Sequence, residues 1–148
     1  MLFAYFPTLH RKFCIVQYSY LIIDDNQTDI KETLHKLEGF PEFFCTGTAT
    51  DKDDAINKIL ELQPQLVFLE VNPGNKKSGL SLAVITDLYQ YTDVLPYFVI
   101  LTGSPKFAFD SIKAGAYDYL LKPLNTFELR KSLLKFQKTN TDAPKNKI

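Results

Sequence analysis

At 148 residues, with 45% hydrophobic, 14% aromatic and 23% charged side chains, the chain has a globular composition and the length of one domain. Its 17 Lys and Arg balance 17 Asp and Glu, so no whole-molecule field draws in nucleic acid or an anionic membrane. Cys14 and Cys45 form no CxxC and no Cys/His cluster, which excludes a zinc or dithiol centre and makes reduced, cytoplasmic thiols the expectation.

Residues 1–17 are apolar only in pieces, broken by Pro7 and by His10, Arg11 and Lys12. They lack the basic-then-apolar order of a signal peptide, and no run reaches the roughly 18 apolar residues of a membrane span. They are expected to be an extension whose role stays open: an added strand or helix, a partner-binding arm, or translated sequence upstream of the natural start. The body, 18–138, then alternates short apolar runs with amphipathic stretches, the pattern of a parallel sheet covered on both faces.

The first expected strand is Tyr20-Leu21-Ile22-Ile23, followed by a helix with Ile30, Leu34 and Leu37 on one face and a left-handed cap at Gly39. A weak strand at Phe43-Phe44-Cys45 leads to a helix opening at Thr50 or Asp51, with Ala55, Ile59 and Leu62 facing inward, that stops before Pro64. Leu66-Val67-Phe68-Leu69 is the third strand, and a loop rich in Asn, Pro, Gly and Lys precedes a helix from about Leu80 to Gln90. Tyr97 to Leu101 is the fourth strand, and a helix runs from Pro105 to about Ala114 with Gly115 as its stop. Tyr117 to Leu121 is the fifth strand. The last helix has Asn125 as N-cap, Glu128 three residues on, and Leu129, Leu133 and Phe136 on one face. Residues 139–148 read as a flexible polar tail. The fold class is therefore α/β, a five-stranded parallel sheet with helices on both faces.

In such a sheet the ligand crevice lies at the C-terminal ends of the strands. Asp24 and Asp25 follow the first apolar run, Glu70 the third, Thr102 the fourth and Lys122 the fifth. Singly, the two aspartates read as caps of the first helix, Thr102 as a turn residue and Lys122 as a solvated lysine. Glu70 ends a run as apolar as LVFL, so it is expected to be buried and in need of a cation. Three clustered carboxylates repel one another unless Lys122 or a hard divalent cation neutralises them. Such a site suits Mg2+ and a phosphoryl group held by Lys122 and the Thr102 hydroxyl.

The segments LIIDDN, LQPQLVFLEV, ILTGS and KAGAYDYLLKP together resemble a response-regulator receiver domain, over roughly four fifths of the chain from Tyr18 to about Lys138. The last segment is most like receivers that precede LytTR-type DNA-binding domains; no such output segment follows within these 148 residues, and a single-domain protein is the expectation. The resemblance implies the flavodoxin-like (βα)5 arrangement of the sheet and its helices, and it implies that Asp24, Asp25 and the backbone carbonyl of Asn72 bind Mg2+. It implies that Thr102 and Lys122 hold a phosphoryl group and that Tyr119 is the aromatic switch; without the family, Tyr119 reads as half-buried sheet.

Two departures follow. Glu70 stands where the family has its phosphorylated aspartate, and its extra methylene displaces the carboxylate by about 1 Å, which in-line transfer tolerates badly. The loop from Asn72 to Gly79 has its proline one place early and its glycine one place late. Mg2+ binding is accordingly expected to be weakened or lost, and the chain to act as a phosphorylation-independent pseudo-receiver in which Glu70 partly mimics a phosphoryl group. The alternatives are a working phosphorelay receiver served by a histidine kinase and, further off, a small flavodoxin-like enzyme or nucleotide binder. The sequence carries no Gly-rich phosphate loop and no Ser/His/Asp set, and His35 reads as exposed. Expected partners are a histidine kinase or phosphotransfer protein and a downstream target, without nucleic acid or membrane. A homodimer is expected through the face of the fourth helix, fifth strand and fifth helix, which carries Phe107, Phe109, Lys113, Tyr117 and Lys131; Phe109 and Ile112 read equally well as core.

Overall fold

The computed structural model describes residues 16–71 and 76–145. In chain order these form β1 (Tyr18–Ile23), α1 (Gln27–Leu37), β2 (Phe43–Ala49), α2 (Lys52–Leu62), β3 (Leu66–Glu70), α3 (Ala83–Leu88), β4 (Tyr97–Thr102), α4 (Ala108–Lys113), β5 (Asp118–Leu121) and α5 (Thr126–Lys145), with single 3-10 turns at Lys76–Ser78 and Pro105–Phe107. The sheet is parallel, in the order β2-β1-β3-β4-β5. Asn72 and residues 1–15 lie outside the described residues.

The apolar runs are continuous because alternate residues feed two cores. Tyr20, Ile22, Phe68, Val99 and Leu101 pack with Ile30 and Leu37 of α1 and Leu129, Leu133 and Phe136 of α5. Leu21, Ile23, Val67, Leu69, Phe98 and Ile100 pack with Ala55 and Ile59 of α2 and Val84, Ile85 and Leu88 of α3. Both faces of the central strands thus leave water, as parallel sheets require. Each of the fully buried Phe68, Phe98 and Phe136 stabilises the fold by about 1.5–3 kcal/mol.

The caps differ from expectation in instructive places. Asn26, rather than Asp24 or Asp25, caps α1 by accepting the Asp29 N–H at 3.1 Å. Gly39 is not left-handed: α1 closes on Glu38 in right-handed geometry, with Gly39 N–H bonded to Lys36 O and Phe40 N–H to Leu37 O. Those tightened bonds satisfy the last carbonyls, so no left-handed residue is needed. The left-handed residue falls at Gln63, at the end of α2, and at Gly115 after α4. On α2 the inward position belongs to Ile56, with Ala55 and Ile59, while Leu62 is exposed. The third helix is shorter than its apolar pattern, and the fourth opens as a 3-10 turn capped by Ser104. Asn125 caps α5 as expected, accepting the N–H of Phe127 at 2.8 Å and of Glu128 at 3.1 Å, and α5 runs past Thr139 to Lys145.

Phe109 and Ile112 point outward, 70% and 68% exposed, whereas Phe107 and Tyr117 pack partly against the cores. His35 is exposed, 3.3 Å from Glu38, and Cys45 is a free, exposed thiol on β2. Among the described residues, no helix is long and apolar enough to cross a membrane.

Candidate functional site

From β1 the chain passes to β2 on one side and β3 lies on the other, so the strand order reverses between β1 and β3, where parallel sheets open a crevice. Asp24 directly follows β1, Glu70 ends β3, Thr102 ends β4, and Lys122 directly follows β5. The β-ladder registers bring these ends to one edge: Ile23 pairs with Leu69, Glu70 with Leu101, and Thr102 with Leu121. Thr102 is fully buried, and its backbone carbonyl accepts the Lys122 N–H at 2.9 Å, which fixes where the lysine starts. Its hydroxyl oxygen accepts the Ser104 N–H at 3.4 Å. The Lys122–Pro123 peptide is cis.

The Lys122 ammonium lies at the centre of three carboxylates. Nζ is 2.7 Å from Asp24 Oδ2, 2.7 Å from Glu70 Oε1 and 2.8 Å from Asp29 Oδ2. Asp24 and Glu70 are buried, and the lysine side chain is 18% exposed. Buried charges must be paired, and Lys122 is the cation that these carboxylates share. Burial by itself lowers the basicity of Lys122, but hydrogen bonds to Asp24, Asp29 and Glu70 outweigh it and hold the ammonium above its usual range. For Asp24 burial prevails: its carboxyl is pushed up, although Lys122 and the Asn26 N–H, donated at 3.0 Å to Oδ1, pull it down.

The trio differs from the one read in the sequence. Asp25, half-buried, is not among the carboxylates on Lys122; Asp29 takes that place. In sequence Asp29 looks like an ordinary acid in the first turn of a helix, where the dipole favours it. The missed signal is positional: a helix that starts at the crevice edge turns its first-turn side chains toward that edge.

Tyr119, half-buried on β5, donates its hydroxyl to the Ser104 carbonyl in the β4–α4 loop. It therefore ties the strand next to the site to the loop beside Thr102.

Hard carboxylate oxygens are the donors Mg2+ prefers, and one oxygen from each of Asp24, Asp29 and Glu70 lies within 4.8 Å of the others. The donor type fits a divalent cation. Each of these carboxylates also gives one oxygen to Lys122, so part of their charge is already met.

Residues 20–134 match the family described as the response regulator receiver domain. The chain is 31% identical over 128 residues to an uncharacterized response regulatory protein of Shewanella oneidensis, covering 86% of this chain and 52% of that protein. It is 30% identical over 118 residues to one of Vibrio parahaemolyticus, covering 80% of this chain and 47% of that protein. The chain thus spans about half the length of the curated relatives it matches. In fold it is similar to the crystal structure of a two-component response regulator of the LuxR family from Aurantimonas sp., with a TM-score of 0.70 and 20% identity, covering 81% of this chain and 84% of that one. A flavodoxin-like sheet, an acid-lined switch point and a family match across most of the chain lead to one assignment: this protein belongs to the response regulator receiver domain family of two-component signalling.

Proposed function

We propose that this chain is a pseudo-receiver, a signalling module of the two-component class that works without phosphorylation. The observation that carries the reading is the 2.7 Å contact between Glu70 Oε1 and Lys122 Nζ. In a receiver that lysine holds the phosphoryl group; here a side-chain carboxylate already engages it. One carboxylate brings less charge and fewer oxygens than a phosphoryl group, so Glu70 mimics the phosphorylated form only in part. Tyr119, bonded to the β4–α4 loop, is the switch residue of this reading.

Mg2+, when bound, would supply charge neutralisation at the acidic edge; in this reading Asp24 and Asp25 would hold it with the carbonyl of Asn72, which lies outside the described residues, and Asp29 and Glu70 stand close enough to add carboxylate oxygens. Its binding is weakened, because Lys122 already engages one oxygen of Asp24 and of Glu70. The protein acts in the cytoplasm through protein partners, a histidine kinase or phosphotransfer protein and a downstream target, and is not an enzyme; the self-phosphorylation and dephosphorylation of a receiver are the most that its site could carry, and in this reading Glu70 blocks them. The exposed side chains of Phe109, Ile112, Leu121 and Phe127 support a homodimer through α4, β5 and α5.

A second reading, a working phosphoryl acceptor, is favoured by the joint presence of Asp24, Thr102 and Lys122 at one edge, since phosphoryl transfer depends chiefly on positioning. Incubation with Mg2+ and acetyl phosphate, read by intact mass, separates the two. Only the Glu70→Asp variant is expected to gain a phosphoryl group; an adduct on the wild type mapped to Glu70 overturns the pseudo-receiver.

A further inference from the structure

A lysine ammonium has three N–H donors and no more. Lys122 makes three short contacts to carboxylates, at 2.7, 2.7 and 2.8 Å, so its donor capacity is filled. A phosphoryl oxygen reaching this nitrogen must displace one of them. Asp24 and Glu70 are buried at strand ends and cannot move away without leaving a charge in the core. Asp29 differs. It sits in the first turn of α1, its side chain is 36% exposed, and it lines a cleft of about 730 Å³ between α1 and the 122–124 segment. Nothing in the packing of α1 requires it to be acidic, because the buried face of that helix is carried by Ile30, Thr33 and Leu37.

We infer that Asp29 is a positioning residue that occupies the third donor of Lys122 from α1, a second lock on the lysine that operates independently of Glu70. It joins the first turn of α1 to the segment between β5 and α5 and holds the ammonium away from any incoming oxygen. The inference rests on the reading above in one respect, that Lys122 is the lysine which would hold a phosphoryl group. Its consequence is specific: exchanging Glu70 for aspartate restores the acceptor but leaves the lysine engaged by Asp29, so phosphorylation of that variant is slow until Asp29 is also neutralised.

The test uses the full chain with Mg2+ and acetyl phosphate. In the Glu70→Asp background, the acetyl-oxygen-to-phosphorus bond breaks, acetate leaves, and a new oxygen-to-phosphorus bond forms on the aspartate carboxylate. The rate of adduct formation is read by intact mass in Glu70→Asp alone and combined with Asp29→Asn, Asp29→Glu or Glu32→Gln. Asp29→Asn is expected to raise the rate about tenfold, the worth of one charge-assisted hydrogen bond. Asp29→Glu, which keeps a carboxylate within reach of Lys122, is expected to return the slow rate. Glu32 is exposed on the same helix and makes no ion pair with Lys122, so Glu32→Gln removes an equal charge and is expected to leave the rate unchanged. Circular dichroism of each variant confirms the fold, and Asp29→Ser serves in place of Asp29→Asn should that variant misfold. An unchanged rate with Asp29→Asn, an equal gain with Glu32→Gln, or no adduct in any Glu70→Asp chain overturns the lock. An adduct on wild-type Glu70 overturns instead the pseudo-receiver reading, and the two failures are distinct.

Discussion

The C-terminal edge of the sheet and the face formed by α4, β5 and α5 handle unfavourable groups in opposite ways. At the edge, the carboxylates of Asp24 and Glu70, which would be intolerable alone, are buried against a single ammonium that half-exposed Asp29 also engages. On the face, Phe109, Ile112 and Phe127 are left in water, each at least 65% exposed, although the cores beneath are closed. A buried charge destabilises the fold at once if its partner is lost, whereas exposed apolar surface costs the monomer little. The edge is therefore where the chain's stability rests on its ion pairs, and in the proposed function the face is where a second copy docks without disturbing them.

The comparison is broken most severely by removing the ammonium. Lys122→Met leaves Asp24 and Glu70 buried without their cation, and urea denaturation is expected to show a loss of about 3–5 kcal/mol. Neutralising one carboxylate is milder. Glu70→Gln keeps the shape and loses a charge-assisted bond, an expected loss of about 1.5–3 kcal/mol by the same measurement; unchanged stability and unchanged partner binding would sink the role given to the pair.

The pH dependence follows from Lys122. Its ammonium is held above the ordinary 10.5 in the folded chain, so the folded state binds the proton more tightly than the unfolded one. That contribution is fully present below about pH 10 and is lost as pH rises through the folded value. Tyr20, whose phenol burial pushes up from 10.0, loses stability over the same alkaline range with the same sign. The difference between wild type and Lys122→Met in urea midpoints from pH 9 to 11.5 isolates the lysine; a constant difference across that range contradicts the pairing.

On the face the effect on stability is smallest. Phe127→Ser is expected to change stability by no more than about 0.5 kcal/mol, yet to abolish the concentration-dependent rise in mass that light scattering should show for the wild type. Monomer at every concentration in the wild type removes the dimer from the account.

Much of the fold was legible because its signals are local. Runs such as Leu66 to Leu69 and Tyr97 to Leu101 are apolar on both faces, which only a covered parallel sheet accommodates, and the cap at Asn125 needs nothing beyond its own helix. Gly39 departs from the left-handed cap that its place in the sequence suggests, because a glycine after a helix permits such a cap without requiring one. Leu62 shares the helical spacing of Ala55 and Ile59 but stands in the last turn of α2, where its Cδ1 reaches Gly47 of β2 while the rest of the side chain stays in water.

The sequence by itself determined the alternation of strands and helices, the apolar identity of the core and the polar residues at the strand ends, since each depends on neighbours a few positions away. It also placed Glu70 at the end of a buried run, where a cation had to be found. Only the tertiary structure decided that Asp29 rather than Asp25 completes the set around Lys122, and that Phe109 and Ile112 face outward. Both outcomes depend on how helices are rotated against the sheet, which is settled by packing among residues far apart in the chain and leaves no periodic trace in it.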